Sequence, residues 1–298
     1  MLEQFKNYYN KAKMNQQRLY QGYNWTKKDI NDDLIWHVPI YDVVNRRYAA
    51  FSSFLEAIRY KEKDPKNNGL YFKNCKIDDS NFIYLCYLFR LCGSGINYKP
   101  KKSLPFGSHG FGNFWIVKEL ILKNYTIDHW INNLPLKGFC DVKGYLLPMI
   151  KKGLYSFIKD NSKKLVDHIY TYIIKSDTKL GIKDVVDYGN NYLLNKGFKR
   201  QNFVLTAFAM DLAEYFPHLI DKNSDVYVGS NAKKCLNMIL PRKKTDYALR
   251  YLCEITGGIS KPYDMEDVAC DFIRYINNFQ SNHHIEKNNN IKYYNNVY

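Results

Sequence analysis

Residues 78–93 read "DDSNFIYLCYLFRLCG": two aspartates and Ser80 able to cap a helix, an unbroken apolar run, and Gly93 where the run stops. A short polar side chain at the start satisfies backbone N–H groups that have no partner within the helix, and a glycine at the end takes the left-handed conformation that closes one. The same grammar recurs along the chain. "VVNRRYAAFSSFLEAIRYKEK" (43–63) puts Ala50, Phe54, Ala57 and Ile58 on one face and ends at "DPKNNG", a strong helix breaker. Further helices are expected near 112–124, 126–133, 141–159, 162–175, 182–195, 200–216, 230–239, 244–256 and 264–279. Period-2 alternation is scarce, so the sequence predicts an all-α fold.

Outward from this core the chain is less regular. Residues 1–42, polar and aromatic, read as an irregular lead-in, 43–280 as a helical domain in which "KSDTKLG" near 175–180 is either a break between two lobes or a loop inside one domain, and 281–298 as a flexible tail of low complexity. No internal repeat of fixed period is visible. No run approaches the roughly 20 apolar residues of a membrane span, and "MLEQFKNYYNKAK" lacks a signal-peptide pattern, which predicts a soluble protein that is not secreted. Seven cysteines without a C-x-x-C pair argue for reduced thiols and against structural zinc, so no metal and no cofactor is expected.

Forty-four Lys and Arg face 29 acids, a formal charge of +15 with a pI near 9.3, and 27 tyrosines add stacking surface. Such a balance fits a polyanionic partner. An AT-rich coding sequence, which is rich in Asn, Lys, Ile and Tyr codons, accounts for the same composition equally well.

Several segments have the make-up of sites. After the apolar run, Gly93, Ser94 and Gly95 present consecutive N–H groups suited to an anion, with Arg90 one turn back able to fork onto a phosphate. His109 lies in "HGFGN" between glycines that let backbone approach a ligand, Asn113 suits either an amide-like base edge or the N-cap of the next helix, and Asn97 joins the expected phosphate- and base-binding set. A helix C-cap with a flexible loop explains these glycines too. "WINNLPLKGFCDVKGYLLPMI" (130–150) resembles a degenerate helix-hairpin-helix, in which Gly138 exposes hairpin amides to a DNA phosphate and Lys137 and Lys143 add charge; an ordinary αα-turn is the plainer reading. Gly229 and Ser230 in "DVYVGSNAKKCL" (225–236) form a second phosphate seat, but without the ending of a P-loop. In "YDMEDVACDFIRYINN" (263–278) Asp264 is a natural N-cap, and Glu266 and Asp271 belong to an acidic cluster that reads by default as a solvated face, or else as a base or amine-binding site.

Taken in order, "LYFKNCKIDDSNFIYLCYLFRLCGSGINY", "HGFGN", the hairpin at 134–147, "QNFVLTAFAMDLAEYFP" (201–217), "YVGSNAKKCL" and "MEDVACDFIRY" resemble the amino acid:DNA transferase and alpha-glutamyl/putrescinyl thymine pyrophosphorylase families of phage DNA-base hypermodification. The similarity spans about residues 45 to 280, and its collinearity is more specific than any single motif. Asp271 and Arg274 stand where the family more often carries Glu and Lys. The resemblance implies a helix-hairpin-helix, DNA-glycosylase-like fold and a transferase working in the cytoplasm of an infected bacterium. A kinase partner phosphorylates 5-hydroxymethyluracil in double-stranded DNA, and an amino acid or polyamine then displaces phosphate or pyrophosphate. Arg90, His109, the 93–95 turn and the Gly229 turn would meet the leaving group, and Glu266 or Asp271 would serve as base or ammonium anchor. A glycosylase-like base-excising enzyme and a noncatalytic helical DNA-binding protein are the alternative expectations.

Overall fold

The computed structural model describes residues 1–20, 83, 84, 86, 87 and 161–277. They contain seven helices and two strands of two residues each, so the described chain is predominantly helical as the sequence predicts. They belong to two compact units, residues 1–20 with 223–277, and 83, 84, 86 and 87 with 161–222. Of the two readings of the 175–180 stretch, a loop inside one unit is the one that agrees with this division, which among the described residues falls between Lys222 and Asn223. The helices expected over 43–63, 112–124, 126–133 and 141–159, and the tail 281–298, lie outside the described residues.

The N-terminal residues depart from expectation: α1 runs from Leu2 to Tyr20, where an irregular lead-in was expected. Phe5, Tyr8, Tyr9 and Ala12 recur at helical spacing and are buried. In this stretch the apolar stripe is aromatic and interrupted by Asn and Lys, which masks the period on a simple hydropathy reading.

The second unit follows. Helix α2 (Lys163–Lys175) buries Leu165, Val166, Ile169 and Ile173, and β1 (Leu180–Gly181) leads directly into α3 (Ile182–Asn195). The Asp184 carboxylate accepts the Gly181 N–H at 2.8 Å, satisfying one orphan donor at the start of α3. Gly197, at φ +76°, closes α3 in the left-handed conformation expected of a C-terminal glycine. Helix α4 (Asn202–Tyr215) is buried continuously from Val204 to Ala213. Apart from Thr206 and Asp211 that stretch is apolar, and a helix apolar nearly all round belongs in a core. β2 (Ile220–Asp221) then pairs with β1 in parallel, Leu180 opposite Ile220 and Gly181 opposite Asp221.

Three hydrogen bonds fix the start of α4. Asn190, fully buried on α3, accepts the Gln201 N–H through Oδ1 at 2.8 Å and donates from Nδ2 to Asn202 Oδ1 at 2.7 Å, so a side chain of one helix caps the next. The Tyr87 hydroxyl donates to Gln201 Oε1 at 2.9 Å while its ring meets Phe208 edge-on. Residues 83, 84, 86 and 87 are helical and buried, as the opening apolar run requires. At Gly189, a Cβ would stand 2.8 Å from Ile169 Cδ1 and 3.1 Å from Leu205 Cδ1, so the glycine lets α3 approach both α2 and α4.

In the first unit, α5 (Ser230–Ile239) and α6 (Thr245–Ile255) form a hairpin whose turn holds Arg242 at φ 65°, and α7 (Pro262–Ile276) packs against both. Helix α1 docks on α7 through rings: Phe5 meets Phe272 at 5.2 Å between centroids, and Tyr8 meets Phe272 at 5.3 Å and Tyr275 at 5.2 Å. Tyr9 is hydrogen-bonded to Ser260 Oγ at 2.8 Å. No helix among the described residues is long and apolar enough to cross a membrane.

Removing a buried ring leaves a cavity as well as losing transfer energy. Phe5→Ala is expected to cost about 3–5 kcal/mol in urea unfolding monitored by circular dichroism. A cost below about 1 kcal/mol would show that the N-terminal helix adds little to the unit.

Candidate functional site

The described part of the expected site is the junction of α5 and α7. Residues 223–229 lead to α5 and are tied down by Arg250 of α6, whose Nε and Nη2 donate to Asp225 Oδ1 at 3.1 and 2.7 Å and whose Nη2 also donates to the Asn223 carbonyl at 3.0 Å. Gly229 is the N-cap of α5 with extended backbone (φ −68°, ψ 166°), and Ser230, the first helical residue, is exposed. An N-cap glycine offers no side-chain acceptor, so the cap must come from elsewhere. It comes from α7: Glu266 Oε1 accepts the Gly229 N–H at 2.8 Å.

Sequence reasoning gave these two residues opposite duties, a phosphate seat and a catalytic carboxylate. The structure brings them together in one hydrogen bond. The Gly229 amide expected to face a phosphate donates to a protein carboxylate, which suits the partial positive charge of a helix start for the same electrostatic reason that a phosphate would.

The acidic cluster is also not the solvated face taken as its default. Asp264, Glu266 and Asp271 are all buried, at 1%, 6% and 5% exposure. Nor is Asp264 the N-cap. Lys261 holds that position, Pro262 follows at the first helical residue, where its missing N–H costs nothing, and Asp264 reaches back to accept the Lys261 N–H at 2.8 Å. The acids of α7 thus do helix-start work twice, for α7 itself and for α5.

Beside Asp264 lies a buried polar group of a kind the sequence did not single out. Burial pushes the Tyr9 hydroxyl above its ordinary pKa, with Asp264 and Cys253 adding to the rise and hydrogen bonds to Ser260 and Thr256 opposing it. The thiols of Cys253 and Cys235 are pushed by burial up to about 12. At that value they stay protonated near neutrality, and a protonated buried thiol is a poor nucleophile. Among the described residues no group of three or more His, Cys, Asp or Glu is placed to hold a metal ion.

In the other unit an aromatic ladder escaped the sequence reading. Tyr172 and Tyr188 stack at 3.9 Å and 8°, Tyr188 and His168 at 4.6 Å and 17°, and His168 and Tyr192 lie 5.0 Å apart. The i, i+4 spacing of 168 with 172 and of 188 with 192 was the available signal. Arg90, Gly93, Ser94, Gly95, Asn97, His109, Asn113, Lys137, Gly138 and Lys143 lie outside the described residues.

Two outcomes are expected from these contacts. Glu266→Ala should cost about 1–3 kcal/mol by leaving the Gly229 donor without this acceptor, whereas Glu266→Gln, which keeps an oxygen there, should cost clearly less in urea unfolding; equal costs would move the weight from the hydrogen bond to the charge. Because the folded-state pKa values of Tyr9, Cys235 and Cys253 are raised, their contribution to stability is complete below the unfolded values of about 9 to 10 and is lost as pH rises toward about 12. The melting temperature should fall across that window, and at pH 8 a thiol reagent mapped by mass spectrometry should reach Cys235 and Cys253 only after denaturation.

Comparison of the chain with family models, with curated proteins and with solved structures gives no match.

Proposed function

We propose that the chain is a DNA-base hypermodification transferase with a helix-hairpin-helix, DNA-glycosylase-like architecture, acting on phosphorylated 5-hydroxymethyluracil in double-stranded DNA. The observation that carries this reading is the collinear order of six segments between residues 70 and 275. Two of them, "YVGSNAKKCL" and "MEDVACDFIRY", also meet in space through Gly229 and Glu266. The predominantly helical chain and its +15 charge are compatible with a helical enzyme on a polyanion.

In the proposed reaction the nitrogen of an amino acid or polyamine attacks the exocyclic methylene carbon of the base. The C–N bond forms as the C–O bond to the phosphate or pyrophosphate breaks, and the amine loses a proton. Arg90, His109 and the amides of residues 93–95 receive the charge that develops on the leaving group, which is where preorganised donors contribute most. With Glu266 Oε1 engaged at the start of α5, Glu266 positions the α5–α7 junction, and the proton acceptor or ammonium anchor is Asp271. The target base is extruded from the duplex to reach these groups.

The test is to incubate the protein with duplex DNA carrying phosphorylated 5-hydroxymethyluracil and a mixture of amino acids and polyamines, then digest to nucleosides for mass spectrometry. A nucleoside heavier by the amine is expected. Asp271→Asn and Arg90→Ala should each lower turnover at least about 100-fold with DNA affinity within about threefold of wild type. Release of free base without an adduct would identify an excising enzyme, and unchanged DNA would remove the transferase reading.

A further inference from the structure

The sequence assigns DNA-backbone contact to the hairpin at 134–147, but α5 and α6 form a different hairpin with a far more basic tip. Arg242, Lys243 and Lys244 are consecutive and exposed in the turn, and Lys233 and Lys234 are exposed on α5. Between Gly229 and Ile255 the acids number two, Asp246 and Glu254. None of the five cations is in an ion pair among the described residues, whereas the sixth, Arg250, is held by Asp225. The Lys243 ammonium lies 5.6 Å from the centre of the Tyr247 ring, and Tyr247 is 53% exposed, an aromatic left in water at the edge of the patch.

We infer that the α5–α6 hairpin is a docking surface for the phosphate backbone of duplex DNA, with Arg242, Lys243 and Lys244 neutralising phosphates and Lys233 and Lys234 extending the contact along α5. The partner follows from charge and shape. Helix α5 has ten residues and so is about 15 Å long. Duplex DNA carries a negative charge every ~1.7 Å of its axis, so a ridge of this length faces several phosphates together, and each one neutralised releases counterions. Tyr247 adds a hydroxyl and a flat ring suited to phosphate and sugar at the rim of the contact. The burial of Asp264, Glu266 and Asp271 removes acids of the same unit from the surface on which a polyanion would land.

This inference rests on DNA as the substrate, so its test uses unmodified duplex and needs no turnover. A fluorescent 20-base-pair duplex is titrated with full-length protein at several salt concentrations, and anisotropy is read. The triple variant Arg242→Ala, Lys243→Ala, Lys244→Ala is compared with Lys175→Ala, Lys179→Ala, Lys199→Ala, which removes the same charge from exposed positions of the other unit. The hairpin triple should weaken binding about tenfold or more and flatten the log–log salt slope by about two to three, while the control triple changes affinity less than about twofold. Equal losses in both triples would reduce the effect to net charge and overturn the hairpin, as would a hairpin triple that binds like wild type or a wild type that binds anionic phospholipid vesicles but not duplex. If the hairpin triple weakens duplex binding as expected while wild type forms no nucleoside adduct, the docking surface stands and the transferase reading alone falls.

Discussion

The carboxylate of Glu266 on the amide of Gly229 is the contact on which the described part of the candidate site depends. It joins the second turn of one helix to the start of another, 37 residues earlier in the chain. A helix that begins at glycine has no side-chain cap of its own, and a glutamate on a buried helix face must find donors to offset its desolvation. Each residue supplies what the other lacks. This sets where α5 starts relative to α7, and with it the position of the basic turn that α5 leads into.

The same device recurs. Asp184 accepts the amide that precedes α3, Asp264 the one that precedes α7, and Asn190 the one that precedes α4. Carboxylates satisfy helix-start amides at three places, and three others, Asp167, Glu214 and Asp225, are in ion pairs with Lys163, Lys222 and Arg250. Much of the negative charge of the described residues is therefore committed internally, while exposed lysines such as Lys233, Lys234, Lys243 and Lys244 remain in water.

Apart from α1 and the continuously buried α4, the described helices were legible because each combines a 3.6-residue apolar period with punctuation. The spans expected at 182–195 and 230–239 coincide with α3 and α5, and those at 162–175, 200–216 and 244–256 differ by one or two residues at their ends. Helix α7 starts two residues before its expected Asp264 because Pro262 is compatible with a first helical position, so the acid works from the third. The bridge between β1 and β2 joins residues 40 positions apart with two residues on each side, too short to leave any alternation in the sequence. Helix α1 was missed because its stripe is made of Phe5, Tyr8 and Tyr9, residues also typical of irregular polar segments, and because the partner that buries them, α7, lies at the other end of the chain.

The candidate site was legible in composition but not in geometry, and the reason is electrostatic. A glycine before a helix and an acid on a helix are each read from sequence as awaiting a ligand, one an anion and the other a cation or proton. Their attraction for each other is as strong a possibility, and only the fold decides whether they meet. At Gly229 and Glu266 they do. An anion bound at the start of α5 must therefore either displace a buried carboxylate, which would be left without that donor, or settle for the exposed Ser230 side. Both are harder than binding at an unoccupied helix start. That asymmetry counts against Gly229 as a phosphate seat and leaves, beyond the far end of the same helix, cations with which no carboxylate forms an ion pair among the described residues.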